Sequence, residues 1–249
     1  MFSTAVVGVM LPFAGTALGS AAVFFIKKQS PVTATYCLSG FAGGVMLAAS
    51  VWSLLLPSIE ESAALGGLAF LPSAVGFVAG VVFMLLCERA VDRLYSGERR
   101  SGLVTALAVT VHNLPEGLAV GLVYASLLKD ASAAAVAGAV SLSVGIAVQN
   151  IPEGAIVSMP LCGGRGGKVK PFLCGVLSGA VEPVAAVTAM LFAGLFSPLM
   201  AYLLSFAAGA MISVVMRELA VEMRDEKGRG MLFFALGFAV MMSLDVSLG

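Results

Sequence analysis

Residues 103–128 read LVTALAVTVHNLPEGLAVGLVYASLL, and residues 132–160 read SAAAVAGAVSLSVGIAVQNIPEGAIVSMP. Each stretch exceeds the roughly 20 residues that carry a helix across a bilayer. Each holds a single ionisable acid, Glu116 or Glu153, inside otherwise apolar sequence. An acidic residue at mid-bilayer costs about 2.5–3.5 kcal/mol on insertion scales, so two of them in matching positions point to a purpose.

Working outward, the rest of the chain reads the same way. Further spans are expected at 3–26, 34–57, 69–88, 172–196, 198–222 and 230–248, making eight in all. Of the 249 residues, 59% are hydrophobic and only 11% are charged, with 14 basic and 14 acidic side chains. A soluble domain carries about 25% charged residues, so lipid must solvate most of this surface. Mean hydropathy is +1.03. The net charge of zero gives no electrostatic basis for binding nucleic acid. Lys27 and Lys28 follow span one, Arg89, Arg93, Arg99 and Arg100 follow span three, and Arg165, Lys168 and Lys170 follow span five. Arg224, Lys227 and Arg229 follow span seven, and Arg217 lies just inside it, so only Lys129 falls on the other side. The positive-inside rule makes the basic side cytoplasmic and leaves both termini outside. The links are short, so the chain is read as one transmembrane domain, 1–249. The first Lys lies at position 27, which argues for a retained first helix over a cleaved leader.

The chemistry concentrates in two hexads, His112-Asn113-Leu114-Pro115-Glu116-Gly117 and Gln149-Asn150-Ile151-Pro152-Glu153-Gly154. On a helix, positions four apart share a face, so His112 sits above Glu116 and Gln149 above Glu153. Asn113 and Asn150 flank those faces. Pro115 and Pro152 lack an N–H and withdraw a helical partner from the carbonyls of Val111 and Val148. Span six repeats the pairing of acid and proline at Glu182-Pro183. Three buried carboxylates repel one another, and a divalent cation resolves the conflict. Carboxylate, imidazole and amide ligands suit Zn2+, and also Mn2+, Fe2+, Co2+ or Cd2+. Paired, proline-interrupted spans are the sequence pointer to a transporter site.

Other readings fare worse. The four cysteines show no CxxC spacing, and each lies in or beside apolar sequence, which reads as packing. The methionines, Met200, Met211, Met216, Met241 and Met242 among them, read as packing too. GGRGGK at 163–168 lacks the Ser or Thr that completes a phosphate loop. No HExxH or GxSxG occurs, and the single histidine leaves a hydrolase short of ligands and base, so the chain is not expected to be an enzyme. Ser50 and Ser53 in span two are polar enough to line a path or simply to hydrogen-bond. Gly15/Gly19, Gly76/Gly80, Gly117/Gly121 and Gly175/Gly179 are small-xxx-small pairs for close helix packing, with a homodimer as one outlet for such a pair.

HNLPEG and QNIPEG together resemble the ZIP (Zrt/Irt-like protein) metal transporters, and AVEP in span six, AAGAM in span seven and GGVMLAASVWSLLLPSIEES from Gly43 to Ser62 fit the same family. Gln149 in place of a histidine looks like its GufA-type branch. The resemblance implies inverted repeats, spans one to three matching six to eight around a central pair of spans four and five. It implies inward movement of zinc or related ions; a carrier working by alternating access is the leading expectation, with a selective channel as its rival, in a prokaryotic inner membrane. It also implies a two-metal centre. His112, Glu116, Gln149 and Glu153 would hold one ion, and Asn113, Asn150 and Glu182 a second, with Glu116 and Glu153 bridging. Family members often carry an acidic residue where this chain has Arg217, which is expected to repel metal or to neutralise Glu218 or Glu222.

Overall fold

The computed structural model describes residues 2–25, 32–94, 103–127, 132–159, 161, 167–192 and 199–248, with backbone only for 2, 32, 91, 92, 94, 103–109, 112 and 248. All regular structure among these residues is helical. Helix α1 (Phe2–Ser20) runs into a 3-10 turn, Ala21–Phe24. Helix α2 (Val32–Ala49) continues through a π-helical turn, Ser50–Leu55, into α3 (Leu56–Glu61). Then come α4 (Phe70–Leu94), α5 (Leu103–Ser126), α6 (Ala133–Ser158), α7 (Val169–Gly179) and α8 (Val181–Phe192). Helix α9 (Met200–Val214) passes through a second π-helical turn, Val215–Leu219, into α10 (Ala220–Glu222), and α11 (Arg229–Leu248) closes the chain. Seven of these stretches are long and apolar enough to cross a membrane: Ser3–Phe24, Thr33–Glu61, Phe70–Ala90, Ala133–Ser158, Val169–Phe192, Met200–Glu222 and Arg229–Ser247. Helix α5 stands where the remaining span is expected, 24 residues long.

Polarity is arranged for lipid. Phe70, Val75, Val78, Val82 and Leu86 of α4 face outward, as do Met231, Leu232, Leu236 and Val240 of α11. Asn113, Glu116, Gln149 and Asn150 are 0% exposed. Water would favour the reverse. In hydrocarbon the apolar face is the outer one, and polar groups must find one another inside.

Packing follows an inverted repeat. Helix α1 lies along α6, and α8 lies along α5; α4 lies along α9, and α11 lies along α2. Exchanging span one with six, two with seven, three with eight and four with five converts each pair into the other. The two π-helical turns occur in spans two and seven, which that exchange also relates. Such turns mark a local insertion into the helical ladder and often accompany functional sites.

The small-xxx-small pairs are used within the chain. Gly15 and Gly19 press α1 onto the α6 carbonyls of Ala147 and Ile151, and Gly76 and Gly80 press α4 onto Tyr202 and Phe206 of α9. Gly117 and Gly121 press α5 onto Glu182 and Ala186 of α8, and Gly175 and Gly179 press α7 onto Ser20 and Thr16 of α1. A side chain at any of the eight would collide with its neighbour, so glycine sets the approach distance.

Candidate metal centre

Span six departs from the single helix expected at 172–196. It breaks at Ala180, between α7 and α8, where the Ala180 N–H turns back to the Leu177 carbonyl at 3.2 Å. The cause is local: Pro183 has no N–H for the Gly179 carbonyl, whereas proline is well tolerated in the first turn of a new helix. Glu182 thereby occupies the first turn of α8. The loose N–H groups and positive dipole end of a helix favour a carboxylate there.

The two hexads ride on α5 and α6 and meet across the gap between those helices. Gln149 Nε2 donates to Glu116 Oε1 at 2.8 Å. Glu182, 1% exposed, collects donors from three helices. Thr16 Oγ1 of α1 and Asn113 Nδ2 of α5 reach its Oε1 at 2.8 and 3.1 Å, and Asn150 Nδ2 of α6 reaches its Oε2 at 3.0 Å. The asparagine amides also touch backbone, Asn113 at the Ser178 carbonyl (3.2 Å) and Asn150 at the Pro12 carbonyl (3.4 Å). A carboxylate only accepts, so it turns the nitrogen of each amide toward itself and the oxygen away.

That orientation leaves a set of acceptors. Asn113 Oδ1, Glu116 Oε2, Gln149 Oε1, Asn150 Oδ1 and Glu153 Oε1 are buried, and none receives a hydrogen bond among the described residues. A buried acceptor without a donor normally costs about 1–3 kcal/mol. Five of them on the residues of two matched motifs form a pattern that a positive charge satisfies. The acids also sense one another: Glu116 interacts electrostatically with Glu182 and Glu153, and Glu153 in turn with Glu218 and Glu222 of span seven. Among the described residues no three His, Cys, Asp or Glu side chains form a cluster that could hold an ion by themselves. The convergent oxygens belong to amides as well as acids. The side chain of His112, the imidazole of the expected set, lies outside the described residues.

Two further polar clusters flank this centre. Near the C-terminal end of α11, Asp245 accepts from Ser53 at 2.9 and 3.1 Å and from Ser141 at 3.2 Å. Ser50, one turn before, only returns its proton to the Met46 carbonyl at 2.7 Å. At the end of span seven, Ser39 of α2 donates to Glu222 of α10 at 2.7 Å. Arg217 forms a salt bridge with Glu88 of α4 and also interacts electrostatically with Glu218, one of the two acids the sequence suggested; its own side chain is 53% exposed.

Sequence reasoning missed Thr16, Asp245 and Glu88. Thr16 had a signal: it is, with Ser20, one of two hydroxyls in the second half of an apolar span, one turn after Pro12 and set between Gly15 and Gly19. Asp245, the only acid of the last span, carried a weaker version of the argument applied to Glu116.

Comparison with known proteins was informative. The family model described as ZIP Zinc transporter matches residues 95–245. The zinc transporter ZIP11 of Xenopus tropicalis is 34% identical, with 97% of this chain and 96% of that protein covered. The zinc transporter ZupT of Clostridium perfringens is 30% identical over 94% of this chain and 90% of its own length. The zinc transporter GufA of Myxococcus xanthus is 32% identical over 60% of this chain and 57% of its own length.

Proposed function

This chain belongs to the ZIP zinc transporter family, and from that premise we propose that it moves Zn2+ across the membrane into the cytoplasm by alternating access, through a centre for two ions built from the hexads and Glu182. Metal transport across a membrane is the activity common to its relatives, which are transporters and not enzymes. The single observation supporting the mid-membrane centre is the set of five buried acceptor oxygens on Asn113, Glu116, Gln149, Asn150 and Glu153 without a donor among the described residues. An ion leaving water loses its hydration shell, and preoriented oxygens repay that loss.

In this reading His112, Glu116, Gln149 and Glu153 hold the first ion. Asn113, Asn150 and Glu182 hold the second, with Glu116 and Glu153 between them. At the first position Glu116 Oε2, Gln149 Oε1 and Glu153 Oε1 are without a donor among the described residues, and the Gln149–Glu116 hydrogen bond would give way to the ion. The second requires donors to leave Glu182. Glu218 and Glu222, beyond Glu153, would continue the path toward the side that Lys and Arg mark as cytoplasmic, and inward movement is the direction the family resemblance implies. Alternating access is supported by the way the helices group. Helices α1, α5, α6, α7 and α8 pack mainly among themselves, as do α2, α4, α9 and α11, with the hexads in the first group. Rocking one group against the other would expose the same oxygens to each side in turn.

The test is zinc uptake into proteoliposomes with competing divalent ions, wild type beside Glu116→Ala, each checked for folding by size exclusion. Uptake should all but vanish in the variant while the protein stays monodisperse. Equal uptake by both would remove Glu116 from the path and this reading with it.

A further inference from the structure

The Thr16 hydroxyl has two acceptors within reach. It lies 2.8 Å from Glu182 Oε1 and 3.4 Å from the Pro12 carbonyl one turn back in its own helix. A hydroxyl carries one proton and so donates to one acceptor at a time. The shorter contact assigns the proton to Glu182, because a 3.4 Å separation lies beyond the usual hydrogen-bond range and 2.8 Å lies at its optimum. The second acceptor is nonetheless in place, and rotation about the C–O bond reaches it without moving the side chain.

Thr16 is held tightly enough for that geometry to persist. It is 1% exposed. A Cβ on Gly179 would fall 2.8 Å from its Cγ2 and 3.0 Å from its Oγ1, and a Cβ on Gly154 would strike its backbone carbonyl. Two glycines on two helices therefore leave room for this side chain and fix it against Glu182.

We propose that Thr16 is a positioning residue for metal release: its hydroxyl competes with the transported cation for Glu182 Oε1, and turns to the Pro12 carbonyl while the cation holds that oxygen. The inference rests on the reading of Glu182 as a ligand. The physical consequence is asymmetric. The hydroxyl stabilises Glu182 through a 2.8 Å bond when the cation departs and keeps only the weaker 3.4 Å contact with Pro12 when the cation is bound. It therefore weakens binding and hastens release. A residue from span one, outside the expected ligand set, thus sets how firmly the second position holds its ion.

The experiment measures KM and kcat for radiolabelled zinc uptake in proteoliposomes, together with zinc affinity in detergent by chelator competition. The variants are Thr16→Val, Thr16→Ala, Thr16→Ser and Glu182→Gln. Removing the hydroxyl in Thr16→Val should tighten zinc binding and lower both KM and kcat by about tenfold, leaving their ratio nearly unchanged. Thr16→Ser keeps the hydroxyl and should restore both values toward wild type. A packing role predicts the opposite order, with Ser worse than Val. Thr16→Ala introduces no new contact and gives the same reading if Val disturbs folding. A raised or unchanged KM and affinity in the hydroxyl-less variants, with Glu182→Gln impaired, overturns the role of Thr16 alone. Wild-type uptake by Glu182→Gln overturns the ligand reading beneath it.

Discussion

Replacing Gly19 by alanine tests whether contact between α1 and α6 sets the geometry of the centre. A Cβ at Gly19 would collide with the Ile151 carbonyl oxygen and come within 2.7 Å of its carbon and 2.9 Å of its Cα. Carbon atoms in contact prefer about 3.5–4.0 Å, so the helices must separate by on the order of 1 Å. The Asn150–Pro12 contact, 3.4 Å, would then be lost. The Thr16–Glu182 bond, now 2.8 Å, would stretch beyond hydrogen-bonding reach. Overpacking costs about 1–3 kcal/mol, and each lost bond adds about 1 kcal/mol, for a total of roughly 3–5 kcal/mol. A change of that size lowers the melting temperature of a chain this long by roughly 10 °C. Gly138 is the control, on the same α6, because a Cβ there meets nothing within 4 Å. Gly138→Ala should stabilise the helix by up to about 1 kcal/mol through helix propensity. Thermal unfolding in detergent, paired with zinc uptake in proteoliposomes, reads both variants. Gly19→Ala melting with wild type and transporting normally would refute the claim that this contact positions the centre.

Two further outcomes follow from the ion pairs of Arg217 and Arg229. Arg217→Gln removes the cation facing Glu88, whose side chain is only 13% exposed; breaking one side of a half-buried pair should cost about 1–3 kcal/mol, and the double variant Arg217→Gln/Glu88→Gln should regain most of it in the same melting assay, whereas equal melting of all three proteins would show that the pair contributes nothing. Asp225 accepts from the Arg229 guanidinium at 2.7 Å and from the Gly230 N–H at 3.3 Å. The Arg229 hydrogen bond foremost holds its carboxyl below the ordinary aspartate range. A depressed acid stabilises the fold above its ordinary value and loses that contribution as pH falls through the depressed one. Amide-exchange protection at the start of α11 should therefore fall at acid pH in wild type and be low and flat in Asp225→Asn; protection that is the same in both at every pH would contradict it.

The centre shows where sequence reasoning reaches and where it stops. Matching hexads put His112, Asn113, Glu116 and Gln149, Asn150, Glu153 on helix faces, and the structure brings Glu116 against Gln149 and both asparagines against Glu182. The spacing within each motif is local, so helical geometry alone predicts it. The partners are not local. Thr16 and Glu182 stand 166 positions apart and Asn113 and Glu182 69 apart. Nothing in either segment alone names the other.

What the sequence by itself determined is the membrane character and the positions of the apolar spans. The bilayer is a one-dimensional constraint: it demands about 20 apolar residues per crossing, and that demand is written along the chain. Only the tertiary structure decided which groups meet. The break at Ala180 swings Glu182 to a helix start, glycines bring α1 close enough for Thr16 to reach that carboxylate, and the turn at Val215–Leu219 sends Arg217 to Glu88. Each outcome depends on distances between helices, and those are set by the simultaneous packing of side chains from distant parts of the chain.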